Sequence, residues 1–170
     1  DGRVLMVMRT NVGRLYQSFS EDGGDFWSLP EPMELATGDV PCAIGRLRTT
    51  GDLVMVWNQS SVQEIETGYS RGRLSVAISR DDGGSWENFK TVELSEGMED
   101  VDQVEMPPIK HVRPLGDLGV LPDGFERSHY PQVAFVQGNL IIVYQSDTWP
   151  GGDIRREHKL QIVPEERLYD

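Results

Sequence analysis

Cysteine is nearly missing from this sequence: Cys42 is the only one among 170 residues. An intrachain disulfide is therefore excluded, and a cysteine-based metal site with it. Cys42 lies in the apolar run Cys42-Ala43-Ile44, which predicts a buried, inert thiol. Histidine is scarce too. His111, His129 and His158 are scattered too widely for a zinc site, so neither metal nor cofactor is expected. No apolar stretch approaches membrane-spanning length, and the opening Asp1-Gly2-Arg3 carries no signal-peptide pattern. A soluble chain is expected, in a compartment the sequence does not name, with no membrane partner. Basic residues are the minority: 16 Lys and Arg against 28 Asp and Glu leave a formal charge of −12. Such a surface repels phosphate backbones and excludes nucleic acid as a partner. Against that background any cluster of arginines stands out.

Turn formers are plentiful. Eighteen Gly and ten Pro fall between short apolar runs, an all-β texture. Three segments repeat one pattern of glycine, a polar residue and an apolar run: Gly2 to Arg9, Gly51 to Asn58 and Gly138 to Gln145. Each reads as a tight turn followed by a strand buried on both faces. A second repeat, Ser-x-Asp-x-Gly-x-x-Trp, occurs as Ser20, Asp22, Gly24, Trp27 and again as Ser79, Asp81, Gly83, Trp86. Its chemistry is local. Asp and Ser side chains accept backbone N–H groups of the turn, Gly takes positive φ, and Trp folds over the hairpin. This Asp box is a structural staple and says little about activity.

Together the repeats predict four-stranded antiparallel blades with strands A to D, and so part of a β-propeller. Blade one, 1–38, has B near 3–9, C near 14–20 and D near 30–36, without A. Blade two, 39–95, has A near 42–48, B near 53–59, C near 73–79 and D near 88–94. After a long loop, 96–128, blade three, 129–170, has A near 132–137, B near 140–146 and C near 159–163. About three blades form one partial domain whose open edges call for cover, by remaining blades of a parent propeller or by a second copy. The acidic run from Glu96 to Asp102 lacks the spacing of a calcium loop and reads as solvated.

In a blade the B–C and D–A connections share one face. That puts Arg9 and Arg14, Arg71 and Arg73, and Arg127-Ser128-His129-Tyr130 around one mouth. On composition alone these arginines equally suit pairing with the abundant carboxylates, and Tyr130 equally suits a rim aromatic.

These residues resemble the sialidase superfamily of six-bladed propellers, and in particular its BNR-repeat-like exo-sialidase branch. Arg71-Gly72-Arg73-Leu74-Ser75-Val76 before the second box looks like the family's Arg-x-x-Leu-Thr-Val. Tyr130-Pro131-Gln132-Val133 followed by Ile142-Val143-Tyr144-Gln145 looks like its Tyr-Ser-x-Leu followed by Leu-Tyr-Glu, with Pro131 and Gln145 as departures. The resemblance implies a retaining exo-glycosidase for a terminal acidic sugar, with tyrosine as nucleophile. By it Tyr130 is the nucleophile, and Arg71 with Arg14 or Arg9 clamps the sugar carboxylate. The family's first clamp arginine and acid/base aspartate belong to blades outside these residues, and its glutamate would lie just upstream of Asp1. The rival expectation is a non-catalytic carbohydrate-binding or scaffolding piece.

Overall fold

The computed structural model describes residues 2–115 and 121–170. Gly116 and Asp117, part of the long loop expected above, lie outside the described residues. Among the described residues ten strands form three antiparallel sheets, in each of which strands consecutive in sequence pair with one another. The first sheet holds β1 (Val4–Met8), β2 (Arg14–Ser20) and β3 (Glu31–Ala36). In the second are β4 (Cys42–Arg46), β5 (Leu53–Trp57), β6 (Arg73–Ser79) and β7 (Glu87–Leu94). The third comprises β8 (Arg127–Val136), β9 (Asn139–Thr148) and β10 (Arg155–Pro164).

The period of two along β5 explains the stacking. Val54 and Val56 face the third sheet and join Leu74, Val76, Ile78, Leu140, Ile142 and Tyr144 in one core. Met55 and Trp57 face the first sheet and join Leu15, Met33 and Leu35 in another. Each such side chain contributes about 1.5–3 kcal/mol on burial. Both faces of β5 are therefore buried along its whole length, as expected. The expectation fails for β1 and β9, which belong to the end blades. There only alternate residues find a neighbouring blade, and Val4 and Met6 on β1 remain 39% exposed.

Sheets approach closely where side chains are small. A Cβ on Gly45 of β4 would meet the Phe135 ring at 2.7 Å, and one on Gly83 would meet Leu5 Cδ2 at 2.9 Å. The Ser20–Trp27 and Ser79–Trp86 turns share one hydrogen-bond pattern. Ser20 Oγ donates to Asp22 Oδ1 at 2.8 Å and accepts from Gly24 N, while Asp22 Oδ1 also accepts from Asp25 N and Phe26 N. Ser79 and Asp81 repeat this with Gly83 N and Ser85 N. The two turns differ in surroundings. Trp86 packs against the first-sheet core, whereas Trp27, 36% exposed, donates its Nε1–H back to Gly24 O at 2.9 Å.

Three further features depart from the sequence expectations. Cys42 is half-buried rather than buried, although burial still raises its thiol pKa to about 11. A short helix, α1 (Val62–Glu66), stands in the β5–β6 connection, closed by a reciprocal capping box between Ser61 and Glu64. Strand β8 starts at Arg127, inside the expected loop, because its pairing continues through a bulge between His129 and Gln132 as far as Arg127↔Asp147.

Candidate functional site

The bulge in β8 produces the most unusual backbone near the expected mouth. Tyr130 has φ of 51°, a left-handed conformation that is costly for an aromatic residue, and its side chain is 54% exposed. Its neighbour His129 is 8% exposed. The two rings stack, with centroids 5.4 Å apart and planes 15° from parallel. The Arg71 guanidinium lies over the Tyr130 ring, Cζ 5.4 Å from its centroid.

Two backbone pins bring Arg71, in the connection before β6, together with Tyr130 on β8. Ser128 N donates to Arg71 O at 2.8 Å. The fully buried Asn58, at the end of β5, donates through Nδ2 to Arg73 O and to Ser128 O, each at 2.8 Å. One amide thus fixes the second sheet's arginine segment against the third sheet's tyrosine segment.

Beneath the aromatic pair runs a charged row set by strand register. Arg127 and Arg156 both lie opposite Asp147, on β8 and β10 respectively. Arg156 grips Asp147 with two bonds, Nε–Oδ1 at 2.8 Å and Nη2–Oδ2 at 2.9 Å. Asp147 Oδ2 also lies 3.1 Å from His129 Nε2. Chiefly because of Arg156, the Asp147 carboxyl is held below its usual range. Burial, then the field of Arg71, pushes His129 down, against the pull of Asp147. Arg127, with its guanidinium 5.0 Å from the centre of the Trp149 ring, is likewise pushed down by burial and then by Arg71. Arg71, Arg127 and Arg156 therefore gather around the His129–Asp147 pair, which holds one buried carboxylate. The local excess of positive charge is the reverse of the molecule's overall sign, and it suits an anion.

The other expected arginines have different partners. Arg14 directs Nε and Nη2 to Pro107 O, at 3.1 and 2.7 Å, and Nη1 to Glu34. Arg9 pairs with Asp39 at 3.3 Å in an exposed position. Arg73 is fully buried, with bonds to Glu64 and to the carbonyls of Glu99 and Val101. Together with Gln59, which bonds Asp102 O and Val104 N, it moors the long connection after β7. Of the two arginines in the Arg71–Arg73 segment, only Arg71 faces Tyr130. A cleft of about 560 Å³ opens between α1 and the 99–108 segment, but it does not include Arg71 or Tyr130. Its lining carries Glu64, Glu66, Glu99 and Glu105, a charge that opposes an acidic ligand.

Sequence reasoning placed Arg127 and His129 at the mouth, gave His129 the role of tuning the polarity of its neighbour Tyr130 and Arg127 none, and missed Asp147, Trp149 and Arg156. The rule that put the first two B–C loops at the mouth applies equally to the β9–β10 connection, which carries Trp149. A carboxylate closing the apolar strand β9 was the readable signal for Asp147. Among the described residues no group of three or more His, Cys, Asp or Glu is arranged to hold a metal ion, and no helix is long and apolar enough to cross a membrane.

Comparison with known proteins gives a family and a fold. The sequence profile of the BNR repeat-like domain matches residues 1–150. No curated protein matches. Among solved structures, the chain superposes on a Trypanosoma rangeli sialidase in complex with sialic acid with a TM-score of 0.51 and 14% identity, covering 97% of this chain and 22% of the sialidase. A Penicillium chrysogenum α-L-arabinanase complexed with arabinobiose gives a TM-score of 0.40 and 13% identity over 96% of this chain and 60% of the arabinanase. The chain thus spans less than two thirds of either protein.

Proposed function

From the premise that the chain belongs to the BNR repeat-like domain family, we propose that it forms part of a sialidase-like glycoside hydrolase propeller and supplies one wall of a site for a terminal acidic sugar. The observation that carries the reading is the Arg71 guanidinium lying over the exposed Tyr130 ring, within an arginine-rich patch of an acidic protein. A planar guanidinium binds a carboxylate with paired, charge-assisted bonds. Arg71 is the principal carboxylate ligand, and Arg127 and Arg156 add to the field. Arg14 or Arg9 would add a second guanidinium only by leaving its present partners. The fold's likeness to a sialidase bound to sialic acid supports the same ligand class.

In the hydrolytic reading Tyr130 Oη forms a bond to the anomeric carbon as the bond to the leaving oxygen breaks. The phenol proton passes to a base and the leaving oxygen takes one from an acid, both supplied by the rest of the propeller. A neutral tyrosine avoids the repulsion that a carboxylate nucleophile meets at a carbon already bearing a carboxylate. The second reading is a carbohydrate-binding propeller piece without turnover, in which Arg71 and the exposed Tyr130 ring only hold the sugar.

The test is titration of the chain with sialic acid and with a neutral hexose, monitored by NMR. Selective binding of the acid, weakened about tenfold or more in Arg71→Ala, supports the site. Equal response to both sugars, or an unchanged affinity in Arg71→Ala, overturns it. Turnover that appears with the complementary blades and vanishes in Tyr130→Phe separates the hydrolase from the binding module.

A further inference from the structure

An arginine guanidinium only donates hydrogen bonds. Arg71 Nη1 lies 3.0 Å from His129 Nδ1, so Nδ1 must be the acceptor and carry no proton. The ring hydrogen then resides on Nε2, which faces Asp147 Oδ2 at 3.1 Å. Asp147 cannot turn away, because Arg156 occupies both of its oxygens. Nδ1 thus faces a donor and Nε2 the Asp147 carboxylate, which lies closer to Nε2 than the Gln145 amide nitrogen at 3.4 Å. The chain Arg156–Asp147–His129–Arg71 runs from β10 to the connection before β6. The His129 ring also forms the floor under Tyr130.

We propose that His129 is a positioning residue: as its neutral Nε2–H tautomer it tethers Arg71 against Tyr130, and protonation of the ring releases that tether. The tether is independent of what binds; its consequence for an acidic sugar rests on the function proposed above. Protonation would set an N–H at Nδ1 against the N–H of Arg71, two donors and two like charges at hydrogen-bond distance. The groups facing His129 are Arg71 from the connection before β6, Arg127 and Tyr130 on β8, Gln145 and Asp147 on β9, and Arg156 on β10. Of these only Asp147 favours the charged ring, and it is already neutralised by Arg156. Blade topology brings His129 and Arg71 to one mouth, but the contact between them exists only once β8 packs against the connection before β6.

The two amide replacements divide the ring's functions. Asn carries an oxygen close to the position of Nδ1, so His129→Asn keeps an acceptor for Arg71 but cannot titrate. Gln reaches the position of Nε2, so His129→Gln keeps the Asp147 contact and loses the one to Arg71. The experiment is ¹⁵N NMR of the 170-residue chain and both variants, reading the imidazole nitrogens and the Arg71 guanidinium resonances against pH. The proposal expects an unprotonated Nδ1 in the wild type at pH above the titration of His129. It expects separate, slowly rotating Arg71 Nη signals that merge as the ring protonates. In His129→Asn those signals stay separate at every pH, and in His129→Gln they are merged throughout. A protonated Nδ1 in the neutral wild type overturns the proposal, as do Arg71 signals indifferent to pH. If both variants fail to fold, the wild-type titration alone decides.

A parallel titration with sialic acid keeps the two readings apart. Affinity about tenfold weaker in His129→Gln, with His129→Asn near wild type, extends the tether to ligand binding. Absence of binding by every form, with the Arg71 signals behaving as expected, overturns the acidic-sugar reading and leaves the tether standing.

Discussion

Asn58 Nδ2 donates to the carbonyl oxygen of Ser128 at 2.8 Å, so an amide at the end of β5 holds the start of β8 in the next sheet. The same nitrogen donates to Arg73 O, and Asn58 is fully buried. Loss of this amide leaves two buried carbonyls short of a donor, at about 1–3 kcal/mol each in the general case. Asn58→Ala is expected to destabilise the fold by about 2–4 kcal/mol in urea denaturation. The NMR signals of Arg71 and Tyr130 should shift together. A loss below about 0.5 kcal/mol would mean that the amide is dispensable to the junction.

Gly45 tests the packing of the second sheet on the third. Its φ lies outside the left-handed region, so a change to alanine acts through space alone. The new methyl would fall 2.7 and 2.8 Å from two Phe135 ring carbons and 3.2 Å from Val133. Overpacking of this kind costs about 1–3 kcal/mol. Gly45→Ala should lower the thermal midpoint, and Phe135→Leu in the same chain should recover part of the loss. Additive losses in the double variant would remove the steric explanation.

Tyr130 separates backbone strain from function. Its φ of 51° costs an L-residue about 1–2 kcal/mol, and glycine is free of that term while losing about 0.5–1 kcal/mol through chain entropy. Tyr130→Gly should therefore fold with a stability within about 1 kcal/mol of wild type, while the ring stack and the cation–π contact disappear. A destabilisation beyond about 2 kcal/mol would show the exposed ring to be a structural support instead.

Stability should fall with acid in two steps. His129 in the folded protein titrates below its ordinary value of 6.5, chiefly through burial and then Arg71, so folding favours the neutral ring. That contribution is complete above pH 6.5 and is lost as pH falls through the lowered folded value. Asp147 titrates below 3.8, chiefly through Arg156, so its contribution is complete above 3.8 and is lost in stronger acid. Thermal midpoints measured against pH should show both limbs in the wild type. Only the lower limb should remain in His129→Asn, and an unchanged upper limb there would assign it to another group.

Much of the fold was written in local pattern. The three glycine-led apolar runs and the two Ser-x-Asp-x-Gly-x-x-Trp turns placed ten strands close to where they lie. Helix α1 escaped because it has only five residues, too few for a 3.6 period to declare itself. Its capping box, Ser61 with Glu64, was nevertheless legible. The early start of β8 escaped for another reason. A bulge breaks the alternation at Tyr130, and only pairing with β9 carries the strand back to Arg127.

The candidate site divides in the same way. The sequence by itself determined an all-β chain of repeated hairpins, an acidic surface, and the connections that share a face, because turn chemistry and side-chain alternation act over a few neighbouring residues. Tertiary structure alone decided that Arg71 meets Tyr130 while Arg73 is buried under the long connection, and that Arg14 is bound to Pro107 O. It also decided which nitrogen of His129 carries the proton, because Arg71 and Asp147 reach that ring from different strands. Such choices depend on carbonyls and charges tens of residues apart, whose positions exist only once the sheets have packed.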